Sequence, residues 1–200
     1  MRHVIGLLGT PPTRSPGQAR YAAWVTIKEP ICGQLVCLAT LSTDSVGDWV
    51  RWMDDPTTTR YLYAPGDQPV QPHSPSSLLD WGRRILSDPE RVVFALRHRE
   101  SDRLIGDARL TPVGRRRAKF SIMIGVAEFR GLGIGTEATA MVCRFGFEQL
   151  GLREITLEVD PRNQAAVHAY LKVGFEHDGT TTMRLMPDRL ARVEHAPAAQ

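Results

Sequence analysis

Arg130 is followed by Gly131, Gly133 and Gly135, with Leu132 and Ile134 between them, and then by a segment whose apolar residues recur at helical spacing. Glycines at the start of a helix let an anion approach the backbone without Cβ atoms in the way, and the first N–H groups of the helix, unpaired and partly positive, can bind it. The chemistry this suits is the holding of a diphosphate. The run lacks the Lys-Ser/Thr that closes a Walker loop, and the strand before it belongs to a meander rather than to an opening βαβ unit. Taken alone, it also suits a glycine-rich turn that only redirects the chain. Other reactive types find no support. Cys143 falls on an apolar helix face and reads as core, His168 reads as a surface residue, and a Cys/His nucleophile pair has no context. The three cysteines, Cys32, Cys37 and Cys143, have an odd count and no ligand spacing, which argues against a disulfide framework and a zinc site; no metal is expected.

The elements around the run follow from periodicity. Residues 33–41 have strand composition, and Ser42 or Thr43 can cap a helix over 44–55 in which Val46, Trp49, Val50 and Met53 share a face. "DPTTTRYLY" starts with a turn signal and reads as short helix or irregular chain, and "APGDQPVQPH" as loop, a candidate lid. A second amphipathic helix starts at Ser74-Pro75, carrying Leu78, Leu79, Trp81, Ile85 and Leu86. Strands over 91–98, 103–111 and 118–126 make an antiparallel meander. From Gly135 the period changes, with Ala138, Met141, Val142 and Phe145 on one helix face up to a stop at Gly151. A strand within 153–160, a short helix between Asn163 and Gly174, and a last strand within 181–187 complete the order. The class is α+β, a mixed, largely antiparallel central sheet flanked by helices. Residues 1–24 read as a mobile Pro/Gly-rich tail, 25–187 as one domain and 188–200 as a second tail.

Two motifs then fit together. "RGLGIGTEA" matches Arg/Gln-x-x-Gly-x-Gly/Ala, and "NQAAVHAYLKVGF" (163–175) matches Asn-x-x-Ala-x-x-x-Tyr-x-x-x-Gly-Phe downstream. Over about residues 30–187 the chain resembles the GCN5-related N-acetyltransferase (GNAT) superfamily, and most of all its ribosomal-protein N-terminal acetyltransferase branch. The resemblance implies the GNAT fold and acetyl-CoA as cofactor. It implies that the backbone of Arg130, Gly131, Leu132, Gly133, Ile134, Gly135 and Thr136 holds the diphosphate, and that the strand ending at Met123, Ile124 and Gly125 pairs with the pantetheine amides along a slot split from the strand within 153–160. Asn163 would bond the pantetheine arm, Ala166 would leave it room, and Tyr170 would point at the sulfur as general acid. Asn163 as a plain helix cap and Tyr170 as a plain core aromatic are the competing readings. Backbone N–H groups would stabilise the developing oxyanion, at a few kcal/mol per donor. Where relatives often carry an acidic residue this chain has Lys119, so the base stays open among Asp160, Glu158, Asp107, a water chain and an amine that arrives neutral.

The resemblance also places the acceptor pocket under the first half of the chain, which holds all four tryptophans, Trp24, Trp49, Trp52 and Trp81, with Asp48, Asp54, Asp55, Asp67, Asp80, Tyr61 and Tyr63 nearby. Aromatic faces with carboxylates suit a polycationic ring compound. Trp52, Asp54, Asp55, Tyr61 and Tyr63 are the candidate acceptor residues, and an aminoglycoside or amino sugar, kasugamycin-like antibiotics included, is the expected substrate, which would make the reaction antibiotic inactivation. N-terminal acetylation of a ribosomal protein or other peptide, a coenzyme A sensor without turnover, and a succinyl donor are the alternatives.

Composition bounds the rest. Twenty-five basic against 22 acidic residues give a net charge of +3 and a pI near 9.0, too mild and too evenly spread to argue for nucleic acid. No apolar run approaches the roughly 20 residues of a membrane span, and the N-terminus has no signal-peptide pattern. A small-molecule amine is the expected partner of a cytoplasmic monomer or homodimer.

Overall fold

The computed structural model describes residues 27–42, 45–61 and 91–191, together with the single positions Ser76, Asp80, Arg84 and Asp88. Its strands are β1 (Ile31–Cys32), β2 (Val36–Thr40), β3 (Val92–His98), β4 (Leu104–Gly114), β5 (Arg117–Ile124), β6 (Glu154–Glu158), β7 (Glu176–His177) and β8 (Thr182–Leu185). Its helices are α1 (Val46–Asp54), α2 (Pro56–Thr59), α3 (Ile134–Glu148) and α4 (Gln164–Val173). The eight strands form one sheet in the order β1-β2-β3-β4-β5-β6-β8-β7. Every pair is antiparallel except β5 with β6, which is parallel. The expected α+β architecture is therefore present.

Side chains alternate across a strand, so each face of the sheet collects its own core. On one face Val92, Phe94 and Leu96 of β3 join Ala138, Val142 and Phe145 of α3 and Val167, Tyr170 and Val173 of α4. On the other face Ala95 packs with Leu41 and with Trp49 and Trp52 of α1, beside Val93 and Met123. The sheet thus separates a face carrying α3 and α4 from a face carrying α1.

Helix α3 is locally well specified: Gly133 supplies a left-handed N-cap (φ 83°), and fifteen helical residues follow. Helix α4 begins at Asn163, whose side chain accepts from Ala166 N–H, and ends at Gly174 (φ 105°). β4 runs through to Gly114, into what the sequence presents as turn, and the two-residue strands β1 and β7 are too short to show a period. Ser76, Asp80 and Arg84 are helical, in keeping with a helix that starts at Ser74-Pro75. Trp24, Tyr63, Asp67, Trp81 and the 1–24 tail lie outside the described residues. At the far end, the chain continues past 187 in a single helical turn over Pro187–Arg189, and Ala191 N–H donates to Val173 O, so the domain extends into the expected tail.

The cysteine reading needs correction. Cys32 and Cys37 face each other across the β1–β2 hairpin and form a disulfide. An odd count excludes a complete framework but not one bridge across a tight hairpin, where register alone brings two thiols together. Cys143 is free and buried, as expected.

Candidate functional site

The parallel pairing of β5 with β6 is short. It runs from Arg117↔Glu154 to Lys119↔Thr156, while β5 continues to Ile124 still paired with β4. Past Lys119 the two strands part, giving the expected slot, and the chain from β5 leads through a turn at Ala127–Phe129 straight to Arg130 and the glycines. Gly131 and Gly133 have φ values of 77° and 83°, which L side chains rarely adopt. A Cβ built on Gly131 or Gly135 meets nothing within 4 Å, so the backbone there faces open space in front of the α3 N-terminus. Leu132 between them is 59% exposed. A diphosphate fits these features: open approach, left-handed glycines and a fifteen-residue helix behind them. Ile134 is buried and anchors the helix start, and Thr136 is half-buried on its first turn.

Glu137, on that same first turn, is a feature the sequence reading missed. It is 7% exposed, and its carboxylate accepts from three consecutive backbone N–H groups of the β1–β2 hairpin: Gln34 (2.7 Å) on one oxygen, Leu35 (2.7 Å) and Val36 (3.1 Å) on the other. It ties the anion-facing end of α3 to the hairpin that the disulfide closes. Its only sequence signal is a carboxylate in a first helical turn, which the helix dipole favours anyway.

Tyr170 projects from α4 with 8% exposure, its ring against Phe120, the β5 residue after the last β5–β6 pair, and against Phe175 (centroids 6.3 and 5.8 Å away). Its hydroxyl makes no hydrogen bond among the described residues. Burial, with the Cys143 thiol beside it, pushes the phenol up to about 12, so it is a protonated donor at any ordinary pH. Asn163 uses its Oδ1 to cap α4 (3.2 Å to Ala166 N), which leaves Nδ2 to donate elsewhere; Ala166 is half-buried next to it. The capping and binding readings of Asn163 are thus compatible.

Met123 and Ile124 end β5 and Gly125 follows them; Gly125 N–H donates to Ile105 O (2.9 Å) of β4, on the side of β5 away from β6, so its N–H does not face the slot. A Cβ on Gly125 would lie 2.0 Å from Trp52 Cδ2, because the indole rests on this glycine. Trp52 is 5% exposed and Trp49 fully buried, so neither indole has a face to offer an acceptor. Asp55 also has other work. It caps α2, accepts from Thr57 N–H and from the Thr57 and Thr58 hydroxyls, and lies 3.6 Å from Arg130. The Thr57 hydroxyl above all, then its amide and Thr58, holds the Asp55 carboxyl down at about 2. Asp54 is exposed on α1 and Tyr61 half-buried after α2, so of the candidate acceptor residues these two remain open to solvent among those described.

Arg130 points away from the diphosphate cradle. Its Nε donates to Ile124 O (2.9 Å), Nη2 to Gly125 O (3.0 Å), Nη1 to the Thr57 hydroxyl (2.8 Å) and Nη2 also to the Thr58 hydroxyl. The three candidate bases are all engaged. Asp107, 1% exposed, accepts from Trp49 Nε1 (3.0 Å) and Arg109 Nε (2.6 Å); Glu158 pairs with Lys119 (2.8 Å). Asp160 is chelated by Arg162, whose side-chain and backbone bonds lower its carboxyl. No group of three or more His, Cys, Asp or Glu suited to a metal occurs among the described residues, and no described helix is long and apolar enough to cross a membrane. His168 is exposed.

Comparison with known proteins gives three findings. Residues 36–176 match the family described as acetyltransferase (GNAT) domain. A 64-residue stretch is 41% identical to the spermidine N(1)-acetyltransferase of Escherichia coli (strain K12); it covers 32% of this chain and about a third (34%) of the length of that relative. Among solved structures, the fold is similar to spermidine N-acetyltransferase from Vibrio cholerae in complex with CoA and spermine, with a TM-score of 0.67 and 20% identity over 78% of this chain and 98% of that one. It is equally similar to the acetyltransferase (GNAT family) from Bacillus anthracis, with a TM-score of 0.67 and 11% identity over 80% and 99% of the two chains.

Proposed function

This chain belongs to the acetyltransferase (GNAT) domain family, and from that premise we propose that it moves an acetyl group from acetyl-CoA to a primary amine of a small cationic acceptor. The observation that carries the reading is the parting of β5 and β6 beside a helix N-terminus opened by left-handed glycines. Acetyl-CoA supplies the acetyl group as a thioester, whose carbonyl carbon accepts the amine's electron pair as the C–S bond breaks. The loop from Gly131 to Thr136 holds the diphosphate by its N–H groups, the Arg130 N–H being already bonded to Ala127 O (3.1 Å), and Asn163 Nδ2 donates to the pantetheine arm over Ala166. Tyr170 gives its proton to the departing sulfur. With Asp107, Glu158 and Asp160 all paired, the amine loses its own proton to solvent water before it attacks.

For the acceptor we favour a linear polyamine of the spermidine type. Two observations support it: the similarity to spermidine N(1)-acetyltransferase, and the burial of Trp49 and Trp52, which removes the stacking faces that argue for a sugar ring. The amino-sugar reading keeps Asp54 and Tyr61 as support, and acetylation of a ribosomal-protein N-terminus keeps the branch resemblance. A thiol-release assay with acetyl-CoA across spermidine, spermine, aminoglycosides and ribosomal-protein N-terminal peptides decides among them. Fastest turnover with polyamines is expected. Turnover confined to aminoglycosides or to peptides replaces the polyamine reading, and acetyl-CoA binding without thiol release for any acceptor refutes the enzyme in favour of a sensor.

A further inference from the structure

We propose that Arg130 is a positioning residue that couples acetyl-CoA binding to the acceptor-side helices α1 and α2. The inference rests on the acetyl-CoA reading above and concerns what that loop does when it is held. Arg130 is the first residue of the glycine loop, and its guanidinium leaves the loop to grip two carbonyls at the end of β5 and two hydroxyls on α2. Those hydroxyls donate in turn to Asp55, which is both the last cap of α1 and the first cap of α2. From α1, Trp52 comes back to rest on Gly125, one of the residues whose carbonyl Arg130 holds. The contacts therefore close a ring: glycine loop, end of β5, α1, Asp55, α2 and back to the loop. Fixing the loop's backbone on a diphosphate fixes where the Arg130 side chain starts, and so fixes α2 against the end of the slot.

A joint that served stability alone would be buried. This one is not: the Arg130 and Asp55 side chains keep 30% and 33% of their surface, and partly exposed ion pairs of this length contribute little. A planar five-donor fork spread over four acceptors is instead suited to setting a geometry.

Hydrogen exchange with and without acetyl-CoA tests this without knowledge of the acceptor. In the wild type, saturating acetyl-CoA is expected to slow exchange both at 131–137 and at 55–61, the latter by about 5-fold or more, the lower range of ordinary coupling between sites. In Thr57→Val/Thr58→Val the protection at 131–137 stays and that at 55–61 drops below about 2-fold. If α2 frays in that variant before ligand is added, Arg130→Lys carries the test, since it leaves the Asp55 cap intact but cannot span the four acceptors. With spermidine as probe acceptor, both variants should raise its KM several-fold while the KM for acetyl-CoA moves less than about 2-fold, a split that general loosening would not give. Wild-type protection at 131–137 with none at 55–61, or equal protection at 55–61 in wild type and variants, overturns the coupling alone. No protection at 131–137 overturns the acetyl-CoA site and the coupling with it. Failure of spermidine as a substrate bears on the acceptor and leaves the exchange result standing.

Discussion

Replacing Tyr170 by Phe removes one oxygen and keeps the ring, so it separates chemistry from packing. The contacts with Phe120 and Phe175 survive, and the hydroxyl gives up no hydrogen bond to the described protein. At pH 8 the variant should unfold within about 0.5 kcal/mol of the wild type, the usual range where no buried partner is lost. If the phenol protonates the sulfur, kcat should fall about 10²-fold or more with the KM for acetyl-CoA nearly unchanged. The pH dependence supplies an independent check. Burial and the Cys143 thiol raise the folded phenol from 10.0 to about 12, so the folded state favours the neutral form. As pH rises from about 10, an unfolded tyrosine gives up its proton while the folded one keeps it, and stability is lost until the folded phenol also titrates. The loss reaches about 1.4 kcal/mol at pH 11 and about 2.3 kcal/mol at pH 12, and levels off above that at about 2.7 kcal/mol, two units at 1.36 kcal/mol each. A phenyl ring cannot titrate, so Tyr170→Phe, equal at pH 8, should be the more stable protein at pH 11. Urea unfolding of both proteins at the two pH values, with steady-state kinetics at pH 8, measures all three quantities. Wild-type kcat in the variant would refute the proton donor, and equal stability at pH 11 would refute the buried, neutral phenol on which it depends.

Gly133→Asp places a carboxylate at the N-cap of α3, where N–H groups are to meet phosphate; the left-handed backbone costs an Asp about 1–2 kcal/mol, so with the fold checked by circular dichroism, calorimetry should find acetyl-CoA affinity reduced at least about 10-fold by charge, and unchanged affinity would reject the cradle. Glu137→Gln keeps shape but has one carbonyl for three N–H donors and sets its NH₂ against Gln34 N–H or against Leu35 and Val36. Losing one charge-assisted bond and weakening the others costs about 2–4 kcal/mol, which should lower Tm by roughly 5–15 °C in scanning calorimetry; a shift under about 2 °C would mean the hairpin is held by other means.

Legibility in the sequence followed the distance over which each feature is encoded. The glycine run, the α3 face and the Asn163-to-Gly174 helix are written within a dozen residues each, and they lie where periodicity and capping place them. β1 and β7 contribute two residues each and so carry no period; they exist because longer neighbours give them a ladder to join. The Arg130 side chain was the least readable part of the site. A basic residue before a phosphate loop suggests a phosphate contact, and nothing local announces that Thr57 and Thr58, over 70 positions earlier, take its fork instead. Trp52 and Asp55 show the same limit: residue type suggested an acceptor pocket, whereas their orientation against Gly125 and Arg130 is set by how α1 and α2 fold back onto the sheet. The Cys32–Cys37 bridge depends on hairpin register, which cysteine counting does not address.

The bond between Glu137 and the β1–β2 hairpin joins positions 101 to 103 residues apart. A ribosome adding about 5–20 residues per second takes roughly 5–20 s to cover that interval. Throughout it the amides of Gln34, Leu35 and Val36 wait for a carboxylate that has not been made, and β2 waits for β3, more than fifty residues away. The first of the described hairpins to be made is thus locked only after β3, β4, β5 and the first turn of α3 have followed it, while β6, β7 and β8 are still to come. A nascent chain halted before Glu137 therefore holds β1 to β5 without the carboxylate that ties the hairpin and without β6 to cover the β5 edge, a half-built sheet in the form that most needs a chaperone.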